Sequence, residues 1–272
     1  MAELEQLSDR WLTRDMELAF ERRGTGSPLV LLHGIGHHWQ AWLPVLDRLA
    51  AERDVIAVDF PGFGVSPPLP SGTPYTAESL ADAIESFFGV LGLREPHVAG
   101  NSLGGYVALE LAARAAVRSA TALSPAGFWN RSELAYARAV LRVNRAGACS
   151  LSPEWALALA EDPLSRALSM SLLVAHPTRL SPEAQLAAIQ ALKDASGFDE
   201  TLASFAGLMP PAPPKVPVTI AWGEHDRLLL RRQAVRAAKW SGHRVKLLKG
   251  CGHVPMTDDP ELVARVLLEA SA

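Results

Sequence analysis

The chain has 272 residues, 49% of them hydrophobic, and a formal net charge of −3. That length allows one large domain with an insertion, and the apolar content supports a sizeable core and excludes a disordered chain. Acids and bases are interspersed, so nothing marks a nucleic-acid or anionic-membrane partner, and no apolar stretch reaches the roughly 20 residues of a membrane span.

The chain opens polar and acidic, without the basic and apolar regions of a secretory leader. Residues 11–23 carry short alternating stretches that read as opening antiparallel strands. Pro28-Leu29-Val30-Leu31-Leu32 is a continuous apolar run of the kind a strand buried on both faces shows. An amphipathic helix is predicted over 41–53, a strand over 54–59, and a helix over 75–91 with Thr76 as its N-cap. A strand at 97–99, a helix at 103–115 and a strand at 119–123 follow. The rhythm then breaks. Residues 126–213 hold helical patterns at 132–145, 153–161, 163–175 and 182–194, several starting at proline, and no convincing strand. Alternation resumes with a strand at 216–222, a helix at 231–240, a strand at 244–248 and a closing helix at 260–269. Alternating strands and helices imply a parallel sheet covered on both faces. The expected organisation is a core of 1–125 and 214–272 with a helical cap of 126–213. Cys149 and Cys251 make neither a disulfide framework nor a Cys-x-x-Cys pair, and a reduced cytoplasmic setting is the expectation, as monomer or homodimer.

The chemistry concentrates at Gly100-Asn101-Ser102-Leu103-Gly104, a G-x-S-x-G pattern between an apolar run and a helical stretch. A serine there sits on a sharp strand-to-helix turn, beside the N–H groups of a helix N-terminus, where developing negative charge is favoured. Such a nucleophile needs a base and a group to orient the base. Gly223-Glu224-His225-Asp226-Arg227 and Gly250-Cys251-Gly252-His253-Val254 both follow predicted strands, so Ser102, Asp226 and His253 fall on loops at one edge of the sheet. Glu224 competes with Asp226 for the acid. His33, His37 and His38 lack an accompanying carboxylate or cysteine at ligand spacing, so no metal is expected. Gly62-Phe63-Gly64 lacks the third glycine of a dinucleotide loop, so no cofactor is expected either.

These motifs resemble the α/β-hydrolases with a cap: the esterases, haloperoxidase-like enzymes and meta-cleavage-product hydrolases. The elbow, the serine–acid–histidine chain order, His33-Gly34-Ile35-Gly36 and Asp59-Phe60-Pro61-Gly62-Phe63-Gly64-Val65-Ser66 carry the resemblance, which covers nearly the whole length. It implies a mostly parallel sheet of about eight strands with an inserted helical cap. It also implies Ser102, His253 and Asp226 as nucleophile, base and acid, and the backbone N–H groups of Ile35 and Leu103 as an oxyanion hole. The 59–66 loop usually braces the site. The implied activity is hydrolysis of carboxylic esters of small to medium, largely apolar substrates. Carbon–carbon bond hydrolysis and a non-catalytic receptor are the alternatives, while the serine disfavours the aspartate-nucleophile epoxide hydrolases. Trp39, Phe63, Phe128, Trp129 and Val254 are candidate pocket residues. Arg131, Arg138, Arg142 and Arg145 form a solvated face, or supply one partner for a substrate carboxylate.

Overall fold

A computed structural model describes residues 18–272; the expectation for 11–17 lies outside them. The first described strand, β1 (Phe20–Arg23), pairs antiparallel with β3, as the opening alternation implies. The apolar runs form β2 (Pro28–Leu32), β3 (Asp54–Val58), β4 (His97–Asn101) and β5 (Ser119–Leu123), and β3, β4 and β5 are buried throughout. Between them lie α1 (Leu43–Ala50), preceded by a short 3₁₀ turn at Trp39–Trp42, α2 (Ala77–Val90) and α3 (Leu103–Arg114). Thr76 caps α2, its hydroxyl accepting from the Ser79 N–H at 3.2 Å.

Five helices separate β5 from the next strand: α4 (Arg131–Ser150), α5 (Pro153–Glu161), α6 (Pro163–Met170), α7 (Pro182–Asp194) and α8 (Phe198–Ser204). Proline opens α5, α6 and α7, where its missing N–H leaves no bond unmade. A capping box of Asn130 and Glu133 starts α4. This helix runs past the expected end at Arg145 because Ala148 is buried beside Ala156 of α5 and Ile189 of α7. Packing there outweighs the weak helix preference of Gly147. The core resumes with β6 (Val218–Gly223), α9 (Arg232–Ser241), β7 (Lys246–Leu248), α10 (Pro255–Asp258) and α11 (Pro260–Ala270).

The described sheet has seven strands in the order β1-β3-β2-β4-β5-β6-β7, all parallel except β1. Seven strands thus lie among the described residues, where about eight were expected for the whole chain. The register aligns Leu32 with Gly100, Asn101 with Leu123 and Leu123 with Ala221. The carboxyl ends of β2, β4, β5 and β6 are therefore level, and the loops leaving them converge above the sheet. No described helix is long and apolar enough to cross a membrane.

Candidate active site

Ser102 stands between β4 and α3 at φ 56° and ψ −113°, a region a non-glycine residue rarely occupies. Three features hold it there. Its N–H donates to Leu123 O at 3.0 Å. A Cβ on Gly100 would lie 2.1 Å from Gly104 O, and one on Gly104 would lie 2.2 Å from Leu32 O, so only glycine lets strand, turn and helix cross this closely. The elbow is thus dictated by sequence, and its strain is distributed over backbone contacts that no side chain could replace.

Above Ser102, His253 Nδ1 and Asp226 Oδ2 are 2.8 Å apart, and both residues are buried. The other carboxylate oxygen of Asp226 accepts from the N–H groups of Leu228 at 3.0 Å and Leu229 at 2.8 Å. Those bonds fix the carboxylate plane and leave Oδ2 for the imidazole. Glu224, two residues earlier, instead accepts from the Gly250 N–H at 3.0 Å. The structure brings Asp226, and not Glu224, to the ring. With Nδ1–H donating to Asp226, Nε2 is the basic nitrogen. Ser102 and His253 line one cavity, although no hydrogen bond joins the Ser102 hydroxyl to the ring among the described residues.

The loop after β2 brings Gly34 within van der Waals reach of Ser102: a Cβ on Gly34 would sit 3.4 Å from Ser102 Cβ. Ile35 lines the same cavity, and Leu103 is the first residue of α3, whose N–H has no acceptor within the helix. This loop is braced from behind. Buried His33 accepts the Phe60 N–H on Nε2 at 3.0 Å, so its Nδ1–H donates to Gly34 O at 2.8 Å. Burial pushes this imidazole down to about 3, so it stays neutral. Asp59 accepts from the Trp39 N–H at 2.6 Å and the Val65 N–H at 3.1 Å, and burial raises its carboxyl to about 6. A Cβ on Gly64, at φ 54°, would lie 2.0 Å from Asp59 Oδ2, which explains the glycine in that loop. His38 accepts the Gln40 N–H at 3.2 Å on Nδ1 and donates from Nε2 to Ala187 O of α7 at 3.3 Å.

Two residues that the sequence did not single out support the site. Asn101 donates from Nδ2 to Leu123 O at 3.1 Å and to His253 O at 2.9 Å, carrying the backbone of the histidine. Asp258, on α10, is buried and accepts three backbone N–H groups. Oδ2 takes Gly252 at 2.7 Å and Ala175 at 3.0 Å, and Oδ1 takes His176 at 2.7 Å. Arg179 also donates to Asp258 O, and the Val254 N–H donates to Leu173 O at 2.9 Å. The segment joining α6 to α7 is thereby tied to the loop that carries His253. Nothing in the sequence foretold a buried carboxylate serving two distant segments.

The cavity encloses about 1240 Å³. Its core wall includes Gly34, Ile35, Ser102, His253 and Val254, and its opposite wall comes from α4, α7 and the 169–174 segment. The aromatic candidates are corrected. Phe63 is fully buried behind His33, with ring centroids 5.7 Å apart. Phe128 packs edge-on against Trp240 at 5.5 Å and Trp129 against Phe205 at 5.3 Å. Trp39 packs against the core cluster around α1 and α11. These large rings gain more by filling the layers beneath the loops than by facing the cavity. None of Arg131, Arg138, Arg142 and Arg145 reaches the wall either; Arg145 stacks over the Phe198 ring at 5.4 Å. Among the described residues, the guanidinium on the wall is Arg179. Buried Cys251 has its thiol pushed up to about 12 by burial and is inert.

Residues 29–266 match the family described as Alpha/beta hydrolase family. The chain belongs to that family. This alpha/beta hydrolase is 39% identical over 116 residues to the dihydrolipoyllysine-residue acetyltransferase component of the acetoin cleaving system of Cupriavidus necator. That match covers 42% of this chain and only 30% of the relative. It is 30% identical over 198 residues to an epoxide hydrolase of Mycobacterium tuberculosis, covering 69% of this chain and 91% of that protein. Among solved structures, a thermophilic esterase of Thermogutta terrifontis superposes with a TM-score of 0.73 at 24% identity, over 93% of this chain and 92% of the other. That last likeness establishes the fold of this alpha/beta hydrolase.

Proposed function

We propose that the protein is a serine hydrolase that cleaves a carboxylic ester through an acyl-enzyme. The observation that carries this reading is a serine held in a strained turn that shares a cavity with a histidine bonded at Nδ1 to a buried aspartate. Ser102 Oγ attacks the ester carbonyl while His253 Nε2 takes its proton. Asp226 holds the Nδ1–H and stabilises the imidazolium. The oxyanion is received by the N–H groups of Ile35 and Leu103, each worth roughly 3 kcal/mol to the transition state. His253 then delivers its proton to the leaving alcohol, and the same base activates the water that hydrolyses the acyl-enzyme. Residues 126–213 act as the cap that closes the cavity from above.

The relative named an epoxide hydrolase does not carry its activity over, because the nucleophile position here holds an alcohol and not a carboxylate. Incubation with a fluorophosphonate separates a hydrolase from a silent receptor. One adduct on Ser102, forming in step with loss of p-nitrophenyl butyrate hydrolysis and absent in Ser102→Ala, is the expected result. An unlabelled wild-type chain refutes the proposal.

A further inference from the structure

Building on the ester-hydrolase reading, we infer that the substrate carries a long or branched, uncharged aliphatic limb, held between α4 and α7. The first ground is size. At about 1240 Å³ the cavity exceeds the roughly 300–1,000 Å³ of ordinary small-molecule sites. An acetyl or butyryl ester would leave most of it filled with water against apolar walls.

The second ground is the character of those walls. Leu141, Leu151, Leu159, Met170, Ile189 and Leu192 supply the insertion side, and among the described residues no Phe, Tyr or Trp is on the wall. Aliphatic walls make non-directional contact with a methylene chain and offer an aryl group no ring to stack on. On α7 the wall positions Ala184, Ala187 and Ala188 are small, which keeps the space open. The rim is also apolar: Leu43 and Val143 are on the wall, and are 45% and 71% exposed. A chain leaving water meets carbon before it reaches Ser102.

The third ground is charge. The charged residues on the wall are Arg179, Glu183 and Asp258, so one guanidinium is outnumbered by two carboxylates, and Arg179 is already bonded to Asp258 O. His37 and His38 add no cation, because burial holds both imidazoles below their usual range. A substrate with a terminal carboxylate would lose its hydration facing a net negative wall. The limb is therefore neutral as well as aliphatic, and longer than the small to medium groups the sequence suggested.

The test is kcat/KM, below micelle-forming concentration, across p-nitrophenyl acetate, butyrate, octanoate and laurate, and across acetates of ethanol, butanol, octanol and dodecanol. Each methylene removed from water is worth about fourfold, so one series should climb on the order of 10³-fold from its shortest member to its eight-carbon member. The p-nitrophenyl monoester of octanedioic acid should fall at least about 10²-fold below the octanoate. Ala188→Phe should lower the ratio of octanoate to acetate by more than about tenfold, and Ala184→Phe tests the same wall if the first variant does not fold. A best substrate of two to four carbons in both series, or a dioic monoester equal to the octanoate, overturns the inference while leaving the serine-hydrolase reading standing. Absence of hydrolysis for every ester, together with no fluorophosphonate adduct, overturns that reading instead.

Discussion

Replacing Asp226 by asparagine tests the proposed chemistry while changing only one atom. Its Oδ1 accepts two backbone N–H groups, so an amide nitrogen placed there would face two donors. The asparagine must therefore keep its oxygen at Oδ1 and turn its NH₂ toward His253. Nδ1 must then accept, the proton moves to Nε2, and the nitrogen that should take the Ser102 proton is already protonated. The expected loss is about 10⁴-fold in kcat, or about 5 kcal/mol of transition-state stabilisation. Because both Oδ1 bonds survive, the melting temperature should stay within about 4 °C of wild type. Stopped-flow or plate-reader kinetics on p-nitrophenyl butyrate, beside calorimetry, read both quantities. Glu224→Gln, which alters an acceptor for the Gly250 N–H and a 3.8 Å approach to the His225 ring, should change kcat less than about threefold. Asp226→Asn within tenfold of wild type, or Glu224→Gln as the larger loss, would refute the assignment of the acid.

Stability should fall on the acid side of neutrality. His33 and His37 have pKa values lowered from 6.5 to about 3, so between those limits the unfolded chain binds protons that the native chain does not. Their contribution is whole above pH 6.5 and shrinks as pH falls, by about 2 kcal/mol per histidine at pH 5. Urea titrations at pH 7 and pH 5 should show that His37→Gln removes about 2 kcal/mol of the difference; an unchanged difference would count against a neutral His37. Asp258→Asn should cost about 3 kcal/mol in the same titration, since an amide nitrogen would confront one of three donors and leave a buried N–H unpaired. It should also open residues 171–181 to limited proteolysis, with kcat falling; wild-type protease resistance would contradict the tie described here.

Much of the core was legible because β2 and β3 are short, largely apolar runs and several helices, α2, α4, α5, α6, α7 and α11 among them, start at a polar cap or a proline. Pro182 marked the start of α7, and Thr76 that of α2, through local backbone chemistry that needs no tertiary context. The elbow was legible for a related reason: glycine on both sides of Ser102 is a steric requirement written in five residues. The end of α4 was not, because Ala148 is held by partners on α5 and α7 rather than by its neighbours. Nor was α8, seven residues long, too short for a periodic reading and anchored by Phe198 and Leu202 in the core. The cavity wall was misread in an instructive way. Trp39, Phe63, Phe128 and Trp129 lie close in sequence to the motif loops, but a sequence does not say which face of a loop looks inward, and bulky rings favour the packed side. Asn101 and Asp258 went unnoticed because their partners are backbone atoms, which leave no trace in side-chain identity.

The bond set of Asp258 has a consequence for anyone who would recombine hydrolases. Its side chain belongs by sequence to the stretch after His253, yet two of its three donors belong to the helical insertion. A chimera that transplants residues 126–213 onto another scaffold leaves the carboxylate behind. The N–H groups of Ala175 and His176 are then stranded against a host that lacks it. The natural crossover unit is therefore discontinuous: the insertion must travel with α10, or its new host must already place an acid at that turn.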